Sequence, residues 1–187
     1  ITKTPLAYCR RSFFVFYKYA RVRYMKKPTM ILSDEHKNIL KVIASVLKKC
    51  DEIEAGKEID KEFFIKAVDF IKNYADKFHH SKEEDILFLE LNKEGVLDHC
   101  NPIEQMLHEH GLGREFVKGL SESVEKGDKK ELIKNARGYC ELLQEHIFKE
   151  DNILYPMADT ALSEETQKII FEKFAKITDL AFEEKDW

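Results

Sequence analysis

The chain has 187 residues, 43% of them hydrophobic and 35% charged, with 31 Lys and Arg against 35 Asp and Glu. That length suits one domain with a sizeable core, and no apolar run approaches the ~20 residues that cross a bilayer, so no membrane protein is expected. Eight of the bases and none of the acids lie in residues 1–29, leaving 23 bases against 35 acids; so acidic a body excludes nucleic acid as the expected partner, since phosphates need the opposite field.

Residues 1–29 mix arginines with the aromatics Phe13, Phe14, Phe16, Tyr17 and Tyr19, without the unbroken apolar stretch of a secretory signal. They are expected to be an extension that is either not native or disordered. The domain proper is expected over 30–158. Ser33 reads as the cap of a first helix carrying Ile39, Leu40, Ile43, Leu47 and Cys50 at three- and four-residue steps, and Gly56 closes it. A second helix follows Asp60, repeats apolar residues at Phe64, Val68, Ile71, Ala75 and Phe78, and runs to about Asn92 before Gly95. Asn101-Pro102 has the form of a helix start, and Ile103, Met106, Leu107, Val117, Leu120 and Val124 share one face of the third helix, which ends near Gly127.

Asp128 with Glu131 resembles a capping box for a fourth helix presenting Leu132, Ile133, Ala136, Leu142, Leu143 and Ile147, with Pro156 as the expected stop. Ser163 caps a fifth amphipathic helix with Ile169, Ile170, Phe174 and Leu180, so residues 159–187 are expected to pack as a helix on the bundle. No stretch alternates with period two. Four long helices with short connections predict an all-α, up-down-up-down four-helix bundle plus the C-terminal helix. The cysteines Cys9, Cys50, Cys100 and Cys140 are scattered without a CxxC, which predicts free thiols in a reducing cytoplasm.

Helices two and four echo each other. FHHSKEEDILFL at 78–89 and EHIFKEDNILYP at 145–156 align at an offset of 67, which matches His79 with His146, Lys82 with Lys149 and Glu83 with Glu150. Two such units suggest the two halves of one site. His36 shares the stripe of Ile39, Leu40 and Ile43; His110 that of Met106, Leu107 and Val117; His146 follows Leu142 and Leu143. Counting back from His79 gives Ala75, Ile71, Val68 and Phe64, whereas counting back from His80 gives Asp76, Asn73 and Asp69, a polar face. His79 is therefore the inward choice, with Glu83 one turn below it, as Glu150 lies below His146; such pairs sit about 5–6 Å apart and can grip one centre.

A single histidine on an apolar face is more often a core residue than a ligand, but here each of four helices offers one. Two carboxylates in a dry core would also cost several kcal/mol each unless neutralised. A metal site follows. Imidazole with carboxylate suits iron, zinc or manganese, and carboxylates that can bridge two ions favour a pair of irons.

At these residues the sequence resembles the hemerythrin-like, HHE cation-binding family, through DEHKNIL around His36, FHHSKEEDILF around His79 and Glu83, MLHEHGLGR around His110 and HIFKEDNILYP around His146 and Glu150. The resemblance spans roughly residues 30–158. It implies two non-haem iron ions bridged by the carboxylates and an oxo or hydroxo group, with one open position for dioxygen. Relatives are linked to oxygen or iron sensing and to nitric oxide or peroxide handling. Oxygen-carrying hemerythrins place two histidines four residues apart on the third helix, but here Met106 stands four before His110. His108 lies about 200° round the helix from His110. The resemblance leaves His80 as a candidate for the missing ligand, and Glu84 and Asp151 as alternative carboxylates.

The expected function is binding or sensing of dioxygen or a related diatomic or peroxide ligand, alone, as a homodimer or with a separate redox partner. The alternative is a di-iron enzyme acting on peroxide or nitric oxide. A ferritin-like oxidase is excluded, because no histidine has Glu three residues before it. Gly111 and Gly113 around His110 suggest close packing or a ligand channel, Arg114 an anion contact or a partner for Glu83, and Tyr74, Tyr139 and Tyr155 core packing or hydrogen bonds to a ligand.

Overall fold

The computed structural model describes residues 27–97 and 101–181. The basic N-terminal segment to residue 26, His99, Cys9 and Cys100 lie outside the described residues, as does the side chain of Leu180. Among the described residues every regular element is a helix. α1 is Pro28–Glu54, entered with proline at the first helical position, where the missing N–H costs nothing. Ser33 is inside α1 and does not cap it; its hydroxyl donates to Asp151 at 2.6 Å. Asp60 caps α2 by accepting from the Phe63 amide.

α2 covers 61–91 and is interrupted by π-helical stretches at Ile71–His80 and Glu83–Leu87. α3, Ile103–Lys126, ends at Gly127 with φ +69°, a left-handed cap that glycine adopts freely. Asp128 accepts from the Lys130 and Glu131 amides to start α4, which covers 129–161 with a π turn at Glu150–Leu154. Pro156 does not stop α4. It falls directly after that π turn, where the hydrogen-bond ladder is already shifted and one missing donor is tolerated, and the helix continues to Ala161. Ser163 caps α5, Glu164–Ala181, by accepting from the Thr166 amide.

The result is an up-down-up-down bundle of α1–α4 with α5 laid against one end. Its core is in two parts. One joins Ile43, Val46 and Cys50 of α1 to Phe64, Leu120, Leu132 and Cys140. The other joins Leu32 to Leu87, Phe88, Ile103, Met106, Leu154 and, from α5, Ile170 and Phe174. The histidines and glutamates of the sequence motifs form a polar layer between these two apolar clusters. Leu40 and Leu107, expected on inward stripes, are exposed. No helix among the described residues is long and apolar enough to cross a membrane.

Candidate metal centre

Five histidines and two glutamates converge in that layer, all buried: His36 from α1, His79, His80 and Glu83 from α2, His110 from α3, His146 and Glu150 from α4. They fall into two groups that could each hold a cation. One is His80, His110, His146 and Glu83; the other is His36, His79, Glu83 and Glu150. Glu83 belongs to both, with Oε2 at 3.7 Å from His79 Nε2 and 3.6 Å from His110 Nε2. Glu150 also spans the halves, with one oxygen 3.1 Å from His146 Nε2 and the other 3.3 Å from His36 Nε2.

The inward pair on α2 owes its geometry to the π-helical stretch. A π turn is wider than an α turn, so successive residues step round the axis by a smaller angle. His79 and His80 are thereby both turned inward, although an α-helical count puts His80 on the polar face with Asp76. His80 stacks on His110 with ring centroids 3.9 Å apart and planes 11° from parallel. Met106, in the position where the resemblance implies a ligand, packs instead in the apolar cluster with Leu154 and Phe174.

Each imidazole turns its Nδ1 outward to a carboxylate. His36 meets Asp151 at 3.1 Å, His79 meets Glu35 at 3.0 Å, and His80 meets Asp76 at 3.4 Å. His110 meets Glu84 at 2.6 Å and His146 meets Glu109 at 2.8 Å. An ionised carboxylate only accepts, so Nδ1 carries the proton and Nε2 presents a lone pair inward. Yet His36 and His79 Nε2 lie 3.0 Å apart, as do His110 and His146 Nε2. Two ring nitrogens at that distance either share a proton or flank a cation. Glu83 Oε2 and both oxygens of Glu150 are buried without a hydrogen-bond partner. The donor set therefore fits metal ions.

The cluster's electrostatics point the same way. Burial, reinforced by Glu150, pushes Glu83 well above the usual carboxylate range. Burial opposes charge on Glu150 as well, but His146 and His36 hold it well below that range. Burial lowers His79 strongly and His80 to about 4, whereas His146, against burial, is raised to about 9 by Glu150 and Glu109. Glu150 thus keeps its negative charge among neutral His79 and His80 in a buried layer, a setting that favours a cation.

The Hemerythrin HHE cation binding domain model matches residues 27–158. The chain belongs to that family. No curated protein matches it. As an HHE domain it has an internal twofold likeness beyond the echo between α2 and α4. Glu35-His36 of α1 corresponds to Glu109-His110 of α3. Lys82 donates to Glu35 as Lys149 does to Glu109, and Asp151 holds His36 as Glu84 holds His110. Two departures break the likeness. His80 has Ile147 as its counterpart, and Tyr155 has Phe88. Tyr155 donates to Glu83 Oε1 at 2.5 Å and stacks on His36, while Phe88 stacks on His110.

The six residues singled out first, His36, His79, Glu83, His110, His146 and Glu150, are thus brought together, and His80 joins them. Glu84 and Asp151 face histidine Nδ1 atoms outside the layer instead. His108 is exposed. Arg114 pairs with Asp76 and Glu84, each at 2.7 Å, and not with Glu83. Sequence reading missed Glu35 and Glu109, although the repeated Glu-His dipeptide marks both. It also missed Asp76, one turn before His80.

Proposed function

We propose that this HHE domain is a non-haem di-iron protein that binds dioxygen or a related small ligand. His80, His110 and His146 would hold one iron, His36 and His79 the other, and Glu83 and Glu150 would bridge them. The observation that carries this reading is the pair of Nε2 to Nε2 approaches of 3.0 Å, each flanked by a shared carboxylate. The iron pair supplies an electron-rich centre with room for an added ligand. The protein's own part is to fix the imidazoles through Glu35, Asp76, Glu84, Glu109 and Asp151, and to exclude water with the apolar clusters on either side.

Three histidines face one half and two the other, and beside the two Tyr155 stands 3.4 Å from His36 Nε2. Burial keeps that phenol protonated. A phenol hydroxyl at this point supports, as a second reading, an enzyme that acts on peroxide or nitric oxide, where it would offer a hydrogen bond to the ligand.

Metal analysis and the visible spectrum of the purified chain test the proposal. About two irons per chain, lowered by alanine at His79, His110 or His146, is the expected result. Zinc alone, or no metal after growth in ample iron, would overturn it. A stable, reversible adduct of the reduced protein with dioxygen marks a binder; steady consumption of peroxide or nitric oxide marks the enzyme.

A further inference from the structure

Arg114 leaves α3 one turn after His110 and reaches across to α2, where it meets two carboxylates at once. Its Nε and Nη2 donate to Asp76 Oδ1 at 2.9 and 2.7 Å, and the same Nη2 donates to Glu84 Oε1 at 2.7 Å. Each of those oxygens has a second partner. Asp76 Oδ1 lies 3.4 Å from His80 Nδ1, and Glu84 Oε1 lies 2.6 Å from His110 Nδ1. The two imidazoles stack with centroids 3.9 Å apart. Imidazole, carboxylate, guanidinium, carboxylate and imidazole thus form a closed ring, and both imidazoles belong to one candidate cation group.

The other half is held differently. In the internal likeness Asp76 corresponds to Leu143, Glu84 to Asp151 and Arg114 to Leu40. Asp151 Oδ1, which faces His36, accepts instead from the Ser33 hydroxyl, a neutral donor with a single hydrogen. A guanidinium is planar and carries its donors in a fixed fork, so it sets the spacing and angle of two carboxylates together, as a hydroxyl or an ammonium does not. As a surface ion pair Arg114 contributes little to folding, since its side chain is 46% exposed. Its effect lies in what the carboxylates hold. Without the guanidinium, two carboxylates that shared one nitrogen repel and swing apart, and each takes its imidazole with it.

We propose that Arg114 is a positioning residue of the three-histidine half: through Asp76 and Glu84 it sets His80 and His110 for one divalent cation, and it has no such part in the His36 and His79 half. The inference rests on the metal reading of the layer, though not on iron as the metal.

Cobalt(II) titration of the metal-free full-length chain, followed by visible absorption, tests this, with iron content measured on separately grown samples. The parent is expected to bind cobalt in both halves. Arg114→Met weakens one cobalt per chain about ten- to hundredfold, the range for losing a group that orients metal-ligating histidines, and leaves the other unchanged. Arg114→Lys keeps the charge without the fork and recovers part of the loss. In a His80→Ala background the remaining tight cobalt binds alike with and without Arg114→Met. A purely structural ion pair would instead move the urea midpoint of the metal-free chain and leave both cobalt affinities alone. Equal affinities in the parent and Arg114→Met, or equal losses in both halves, overturn the proposal. Cobalt binding that ignores Arg114 in a chain that loads two irons strikes this inference alone; cobalt binding that depends on Arg114 in a chain that takes up no iron strikes the di-iron reading alone.

Discussion

His80 shows how much one side chain decides. It gives the His110 and His146 side of the layer a third imidazole, and its counterpart Ile147 offers none. Replacing His80 with alanine is expected to lower iron from about two to about one per chain, with the His36 and His79 half still loaded; retention of both irons by metal analysis would remove His80 from the ligand set. Lys82 is another decisive residue. It is fully buried, donates to Glu35 and lies 3.3 Å from the centre of the Phe78 ring. Glu35→Ala leaves that ammonium buried without its carboxylate and should destabilise metal-free protein by roughly 3–5 kcal/mol in urea. The double change with Lys82→Met should recover much of the loss, whereas additive losses would show that the pair is not coupled.

The thiols make a further prediction at the same scale. Cys50 and Cys140 are free and buried, and burial pushes them up to about 11 and about 12. In the unfolded chain a thiol ionises near pH 8.5. Above that pH the unfolded state sheds protons that the folded state keeps, so stability falls as pH rises. Urea midpoints are expected to be flat with respect to these groups from pH 7 to 8 and to drop by pH 10. With both replaced by alanine the drop should shrink; an unchanged drop would assign it to other groups.

Among the helices, α3 and α4 share the most extensive contact, and glycines line it. A Cβ on Gly138 would come within 2.5 Å of the Phe116 ring, and one on Gly119 would collide with the Asn135 side chain. Gly138→Ala gains helix propensity but forces Phe116 aside, and overpacking of this kind costs about 1–3 kcal/mol. A lower thermal midpoint is expected, and an unchanged or higher one would mean that Phe116 moves freely. The π-helical stretches have the opposite role. They sit at the polar layer in α2 and α4, where a shifted ladder turns His79, His80, Glu83 and Glu150 toward a common centre.

Across the whole molecule, the polar layer divides the core in two, and each apolar cluster borders buried carboxylates and imidazole lone pairs. Metal that binds only the folded state adds stability by mass action, about 2.7 kcal/mol at a hundredfold excess over its dissociation constant. Stripping the protein with a chelator is therefore expected to lower its thermal midpoint, and restoring iron to raise it again. Equal midpoints with and without metal would mean that the layer is held by its own hydrogen bonds.

The all-helical class, the bundle and six of the seven residues of the buried cluster are legible in the sequence, because an apolar stripe at helical spacing dictates which face turns inward. A histidine on that stripe goes inward with it. Helix ends at Asp60, Gly127, Asp128 and Ser163 were written in local capping chemistry that needs no tertiary context. The remainder depends on departures from regular helix geometry and on how the helices pack. His80 faces inward because α2 leaves regular α geometry, and a count at 3.6 residues per turn is blind to that. α4 passes Pro156 for the same reason. Glu35 and Glu109 became partners of His79 and His146 through approaches between helices that no periodicity within one helix encodes. The ring from His80 through Asp76, Arg114 and Glu84 to His110 closes only where α2 meets α3, and it belongs to their packing rather than to either helix.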